Sequence, residues 1–179
     1  EKLHNLEYWQ VIEKLLSEYD HVVFVFASQS IPVSIKNYLD QSIFNSRIKH
    51  IGWINTKAWC HVLDLYLDSF PRGSGNTMFE AILARVPCLI MDTPENRESS
   101  ALNYIDSSNS PQNVLGITSD MDSHLLEARK IIQSTQYAEY ISANQFKVLD
   151  KLQNSTHLFA KDYLNYFLGT SFSLSGHIG

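Results

Sequence analysis

One stretch, residues 65–91, constrains the fold more than any other part of the sequence. A short apolar run ends at Asp68, a loop containing Gly73 and Gly75 follows, and a helical apolar pattern leads through Pro87 into a second apolar run. Short apolar runs bounded by Pro and Gly are typical of buried strands. The order strand, loop, helix, strand therefore predicts a βαβ unit with two parallel strands.

The same alternation continues on both sides of this unit. Strands are predicted at 22–27, 48–54, 65–67, 87–91 and 113–117. Helices are predicted at 6–19 with Asn5 as its cap, from Pro32 onward, and at 56–63, 77–85, 98–105, 135–152 and 156–168. A further helix, capped by Ser119 or Asp120, is predicted to run to about 133. We therefore predict an α/β domain over residues 1–168, with a Rossmann-like parallel sheet flanked by helices, and a flexible Ser/Gly-rich tail over 169–179.

Composition excludes several classes of function. The 179 residues carry a net charge of -5 and no cluster of Lys and Arg, which argues against a nucleic-acid partner. The longest apolar run is far shorter than the roughly 20 residues that a membrane span needs. Cys60 and Cys88 match no metal or redox spacing and are interpreted as buried free thiols. We expect a soluble protein in the cytoplasm, with no metal site.

Ligands of parallel α/β sheets bind at the carboxyl ends of the strands. The predicted loops at that edge are 28–31, 53–56, 68–76 and 92–97. In the third loop, Gly73 and Gly75 allow a ligand to approach the backbone closely. Ser74, Asn76 and Thr77 follow at a predicted helix N-terminus, where unpaired N–H groups and the helix dipole favour an anion such as a diphosphate.

A carboxylate lies one helical turn further along. Glu80 follows Thr77 by three residues, about 1.5 Å of rise for each, and so lies on the same side of the helix. There it can accept hydrogen bonds from vicinal ribose hydroxyls while the phosphates lie at the helix start. Thr77 and Glu80 also match a capping box, which needs no ligand. The residues alone leave both interpretations open.

Taken whole, this stretch resembles the donor-binding lobe of glycosyltransferases with the GT-B architecture of two Rossmann-like lobes. Their pattern is a strand, an aspartate, a Gly/Ser/Thr loop, a helix bearing Glu or Asp, and Gly-x-Pro before the next strand. The pair Leu67-Asp68, with eleven residues between Asp68 and Glu80, is similar to the O-GlcNAc transferase family and its bacterial HMW1C-like relatives. The resemblance is specific over 65–91 and diffuse elsewhere.

The resemblance implies the C-terminal nucleotide-sugar-binding domain of a glycosyltransferase. Such an enzyme transfers a sugar from a nucleoside-diphosphate sugar, with UDP as the expected nucleotide, to an acceptor that the sequence does not identify. Neither a metal nor another cofactor is expected. An N-terminal acceptor domain outside this sequence would supply the catalytic base, so we expect weak donor binding and no turnover by this chain alone.

The resemblance also assigns positions to donor binding. Ser28 and Gln29 would lie near the sugar and phosphates, and the loop after Gly52 and Trp53 would contact the base. The diphosphate would be held by Ser74, Gly75, Asn76 and Thr77, and the ribose by Glu80. Gly73 is a further donor-binding position.

Two positions depart from the family pattern. Many retaining GT-B enzymes carry a second glutamate eight residues before the ribose-binding one, and Arg72 stands there in this chain. Arg72 is interpreted either as a catalytic residue that stabilises the leaving diphosphate or as a solvated loop residue. Arg85 and Val86 replace the usual Gly-x before Pro87. The chain is therefore expected to be a divergent member.

Other sequence motifs are weaker evidence of function than the stretch 65–91. Asp120-Met-Asp122 matches the Asp-x-Asp of metal-dependent glycosyltransferases, but it precedes a predicted helix, where Asp commonly caps. Glu95, Arg97 and Glu98 are candidates either for sugar contact or for capping the next helix. Two other functions stay open: a nucleotide-sugar 2-epimerase lobe, and a non-catalytic Rossmann-like binding or assembly module.

Overall fold

The first helix forms as the apolar spacing predicts. In the computed structural model of the chain, which describes residues 2–99 and 114–151, helix α1 spans Leu6–Glu18. The Asn5 side chain accepts a hydrogen bond from the Glu7 N–H at 2.9 Å, which confirms the predicted cap. The buried face of α1 consists of Tyr8, Trp9, Val11, Ile12, Leu15 and Leu16.

A pair of parallel strands follows α1. Strand β1 spans Phe24–Phe26 and strand β2 spans Ile48–His50, and Phe24 is aligned with Ile48. Helix α2, Val33–Gln41, connects the two strands and directly follows Pro32. Both strands are shorter than predicted, but their positions and parallel direction agree with the sequence pattern.

A group of three parallel strands forms the other part of the sheet structure. Strand β3 is Tyr66–Leu67, β4 is Cys88–Met91 and β5 is Ile117–Thr118, in the order β3-β4-β5. Helix α4, Asn76–Leu83, joins β3 to β4. The predicted βαβ unit at 65–91 is therefore confirmed, and every residue of β4 is buried.

The remaining helices surround these strands. Helix α3 is Thr56–Trp59, α5 is Pro94–Ser99, α6 is Met121–Gln133, and α7 covers 135–151. The prediction of a helix at 98–105 was wrong at its start, because α5 begins at Pro94. The predicted helix at 156–168 and the tail at 169–179 lie outside the described residues.

Two apolar clusters hold the elements together. One lies under α1 and includes Trp9, Phe26 and Leu89, so it contacts strands of both groups. The other lies between α4, β4 and α7 and includes Met78, Ile90 and Val148. This is an α/β fold with parallel sheets flanked by helices, as predicted. Within 2–99 and 114–151, no helix is long and apolar enough to cross a membrane.

Candidate functional site

A cleft of about 800 Å³ opens where the parallel strands end. The loops after β1, β2 and β3 all contribute to its wall, as the position of ligands in such sheets predicts. The predicted binding residues on this wall are Ser28, Gln29, Trp53, Ser74 and Thr77. The loop 92–97, which was also expected at this edge, does not line the cleft.

The loop between β3 and α4 is fixed from beneath by two buried side chains. The Asp68 carboxylate is 0% exposed and accepts the Ser74 N–H, at 2.9 Å to Oδ1 and 3.1 Å to Oδ2. The Asn96 side chain, also 0% exposed, accepts the Gly73 N–H and donates to the Met91 carbonyl at 2.7 Å. Consequently the amides of Gly73 and Ser74 are already engaged by protein acceptors.

Glycine is required at position 73 by close packing. A Cβ atom there would lie 2.1 Å from Asp68 Oδ2 and 2.7 Å from Asn96 Oδ1. At Gly75, by contrast, nothing lies within 4 Å of an added Cβ. Gly73 therefore lets the loop close over its two buried acceptors, and it does not line the cleft.

Helix α4 begins without a side-chain cap. Gly75 is the N-cap residue, and Asn76 is the first helical residue. The capping-box interpretation of Thr77 and Glu80 was therefore wrong, because Thr77 lies inside the first turn. The Met78 N–H donates to the Gly75 carbonyl at 3.2 Å, whereas the N–H groups of Asn76 and Thr77 have no partner within the helix. Thr77 lines the cleft beside them, whereas Asn76 is exposed away from the cleft wall.

Glu80 is half-buried behind the cleft wall. Its Oε2 accepts a hydrogen bond from the Thr56 hydroxyl of α3. Thr56 and Cys60 line the cleft, and Glu80 itself does not. Burial, followed by the charge of Glu80, raises the pKa of the Cys60 thiol. The predicted ribose-binding carboxylate therefore contacts Thr56, which lines the cleft, and does not line the cleft itself.

The loops after β1 and β2 form the opposite wall. The Ser28 hydroxyl donates to the Ser30 carbonyl at 2.9 Å, and Gln29 is exposed beside it. Gly52 has φ 69, in the left-handed region that favours glycine, and it turns the chain after β2. Trp53 follows on the cleft wall with 80% of its surface exposed.

The cleft residues that the sequence reasoning missed include two aromatic side chains. Tyr66 of β3 donates its hydroxyl to Ser74 Oγ at 2.8 Å, and Trp59 of α3 lines the cleft with 36% exposure. Burial is the main cause that raises the pKa of Tyr66 well above its usual range, and the charge of Asp68 adds to it. The sequence spacing does not identify either residue as part of a binding site. Both are aromatic residues in apolar segments, and such residues are normally predicted to lie in the core.

The wall is lined mainly by apolar and hydroxyl side chains, with the imidazole of His4 among them. Among the described residues, no Lys, Arg, Asp or Glu lines the cleft. Arg72 is exposed and is not part of the wall, although its carbonyl accepts the Ser69 hydroxyl at 2.9 Å. An anion in this cleft would meet hydroxyl groups, backbone amides and a helix N-terminus.

Arg85 explains how the chain does without the usual glycine before Pro87. Its φ is 63, so it adopts the left-handed conformation that glycine would adopt there. Its guanidinium carbon lies 3.3 Å from the centre of the Phe146 ring, and its carbonyl accepts the Ser142 hydroxyl at 2.9 Å. Contacts with α7 therefore offset the backbone strain.

The Asp120 interpretation is also confirmed. Asp120 is the N-cap of α6 and forms a capping box with Ser123. Its hydrogen bonds with Ser123 and Ser119 lower the pKa of the carboxyl. Within the described part of the chain, no group of three His, Cys, Asp or Glu side chains is placed to hold a metal ion.

Several solved structures share this fold. An O-GlcNAc transferase mutant from Thermobaculum terrenum matches with a TM-score of 0.61 and 13% identity, over 79% of this chain and 28% of that one. The pneumococcal O-GlcNAc transferase GtfA, in complex with UDP and GlcNAc, matches with a TM-score of 0.61 and 17% identity, over 91% of this chain and 34% of that one. TarM matches with a TM-score of 0.63 and 18% identity, over 88% of this chain and 31% of that one.

These matches define the class of fold. All three are GT-B glycosyltransferases, and the chain has the fold of their C-terminal domain, which confirms the resemblance seen at 65–91. It spans 28–34% of their length. No protein-family model and no curated protein matches the sequence. At 13–18% identity the likeness establishes the fold alone.

Proposed function

We propose that this chain is the donor-binding domain of a glycosyltransferase and that its cleft holds a nucleoside-diphosphate sugar. The observation that carries the proposal is the first turn of α4, which begins uncapped at the cleft and places Ser74 and Thr77 on its wall. Uncapped helix amides and hydroxyl donors are well suited to a diphosphate. UDP is the favoured nucleotide, because GtfA shares the fold and was solved with UDP and GlcNAc.

The parts of the donor would then follow the geometry of the wall. The diphosphate lies against Ser74, Thr77 and the first-turn amides of α4. The ribose lies toward Thr56, with Glu80 behind it, and the base lies toward Trp53. In this arrangement, neutral hydrogen-bond donors bind the charged diphosphate. This agrees with a cleft wall that carries no Lys or Arg among its described residues.

Turnover is proposed to need a second lobe. The matched glycosyltransferases are about three times as long as the matched segment, since this chain spans 28–34% of each. The cleft supplies donors for a leaving group, but its described wall contains no carboxylate that could act as a general base. We therefore propose that an N-terminal acceptor domain completes the enzyme and that this chain alone binds donor weakly.

Titration with UDP, GDP and UDP-sugars, followed by NMR or calorimetry, tests the proposal. Thr77→Val should weaken UDP binding about fivefold by removing one hydrogen bond to the ligand. Ser17→Ala is the matched control, because Ser17 is an exposed hydroxyl residue of α1 that bonds only to its own helix. Absence of saturable UDP binding at millimolar concentration would instead favour a Rossmann-like module without a donor site.

A further inference from the structure

Ser74 is fixed in place before any ligand arrives. Its N–H donates to both carboxylate oxygens of the fully buried Asp68, at 2.9 and 3.1 Å. Its side chain lines the cleft immediately before the uncapped start of α4. The backbone of Ser74 is therefore held from beneath, and its hydroxyl group lies at the cleft surface.

Tyr66 holds the hydroxyl group of Ser74 from the side. The phenol donates to Ser74 Oγ at 2.8 Å, and the Tyr66 ring packs against the apolar cluster that contains Met78 and Cys88. In this pair the phenol donates and Ser74 Oγ accepts, and burial raises the pKa of Tyr66 well above its usual range. The packed ring leaves the phenol oxygen little freedom to move.

This pairing determines what Ser74 offers to a ligand. A serine hydroxyl has one proton and two lone pairs, and one lone pair is used by Tyr66. The Asp68 oxygens accept the Ser74 N–H, and within residues 2–99 and 114–151 the Ser74 hydroxyl donates to no acceptor. We propose that Tyr66 is a positioning residue that directs the Ser74 hydroxyl proton into the cleft, toward the diphosphate of a bound nucleotide. This inference rests on the donor-binding function proposed above.

The chemistry of the wall gives the pair its importance. Because no Lys or Arg lines the described cleft, neutral donors supply most of the attraction for a diphosphate. A hydroxyl group that accepts one hydrogen bond is polarised and becomes a stronger donor in the next. The Tyr66 phenol thus strengthens the donor that Ser74 presents, and it opposes rotation of the hydroxyl away from the cleft.

A double-mutant cycle with two ligands tests the inference. UDP and uridine are titrated into the wild type, Tyr66→Phe, Ser74→Ala and the double variant. Tyr66→Phe should weaken UDP binding about fivefold, the size of one neutral hydrogen bond, and leave uridine binding unchanged. In the Ser74→Ala background, Tyr66→Phe should have almost no further effect. Tyr38→Phe is the matched control, because the Tyr38 hydroxyl bonds to Glu13 and does not line the cleft.

The outcomes separate this inference from the function beneath it. Wild-type UDP binding that Tyr66→Phe leaves unchanged overturns the role of Tyr66 and keeps the donor site. So does a Tyr66→Phe effect that persists without Ser74, or one that is equal for uridine. Lack of UDP binding by the wild type overturns both. If Tyr66→Phe does not fold, Ser74→Thr and Ser74→Ala decide instead. Ser74→Thr keeps a hydroxyl and should retain UDP affinity within about twofold, whereas Ser74→Ala should lose about fivefold. UDP affinity that Ser74→Ala leaves unchanged overturns the inference.

Discussion

The hydroxyl of Thr56 in α3 donates a hydrogen bond to Oε2 of Glu80 in α4. Thr56 lines the cleft and Glu80 lies behind it, so the helix carboxylate is partly satisfied by the protein itself. A ribose that binds here must share the carboxylate with Thr56 or displace that hydroxyl. Which of the two faces the ribose can be decided by substitution.

Glu80→Ala should weaken UDP binding about tenfold, because a hydrogen bond to a charged group is lost from the ribose. Binding of inorganic pyrophosphate, which has no ribose, should not change. Calorimetric titration of both ligands checks this, with Glu139→Ala as a control at an exposed position of α7. Unchanged UDP affinity in Glu80→Ala would mean that Glu80 serves only to hold Thr56.

Salt should affect UDP binding little. The described cleft wall contains no Lys or Arg, and Arg72 is exposed outside it. Screening acts on charge pairs, over a Debye length of about 10 Å at 0.1 M salt. Raising NaCl from 50 to 300 mM should therefore change UDP affinity less than about threefold. Arg72→Gln should change it less than about twofold. A steep salt dependence that Arg72→Gln removes would place this side chain at the diphosphate in solution.

The two glycines of the β3–α4 loop should respond in opposite ways to the same substitution. An added Cβ at Gly73 would lie 2.1 Å from Asp68 Oδ2, whereas at Gly75 nothing lies within 4 Å. Gly73→Ala should cost about 3 kcal/mol of unfolding free energy through overpacking, and Gly75→Ala less than about 1 kcal/mol. Urea unfolding of both variants provides the measurement. Equal costs would show that the loop is not held against Asp68 and Asn96.

The sequence predicts the frame of the site better than its interior. The βαβ unit at 65–91 was predictable because apolar runs and helix spacing report local structure, and the cleft lies at the sheet edge that topology dictates. The engagement of Gly73 by Asn96 was not predictable, since it joins residues 23 positions apart. The capping box failed because the helix begins at Asn76, and a shift of one residue changes which side chain is the cap.

Missed aromatic residues have a similar cause. Tyr66 occupies a strand position that apolar periodicity assigns to the core, and its ring does pack there. The Tyr66 hydroxyl belongs to the cleft wall only because the fold places Ser74 beside it. A side chain with an apolar body and a polar tip can thus serve the core and the site together, and one-dimensional patterns report only its apolar body.

His124 should make stability depend on pH. This residue of α6 is fully buried, its ring packs edge-on against Phe70, and its Nδ1 contacts the Thr118 hydroxyl at 2.7 Å. Its Nε2 has no hydrogen-bond partner among the described residues. Burial lowers the pKa of His124 from 6.5 to about 4, so the unfolded chain takes up a proton at a higher pH than the folded one.

The stability linked to this neutral histidine is present above pH 6.5 and is lost as pH falls toward about 4. The loss amounts to about 3 kcal/mol at its limit. His124→Phe removes the titrating group, so the stability difference between wild type and variant should shift in favour of the variant over that window. Denaturant unfolding at several pH values measures it; a difference that stays constant with pH would contradict the prediction.

Arg85 offers a test of how the chain replaces a glycine. With φ 63 the backbone is strained for any residue with a Cβ atom, at a cost of about 1 kcal/mol. The contact of its guanidinium with Phe146 offsets a similar amount at an exposed position. Arg85→Gly removes both the strain and the contact, so its stability should stay near that of the wild type. Arg85→Ala keeps the strain and loses the contact, and it should be about 1 kcal/mol less stable than Arg85→Gly in urea unfolding. If Arg85→Ala and Arg85→Gly are equally stable, the left-handed conformation does not explain why the family pattern has glycine at this position.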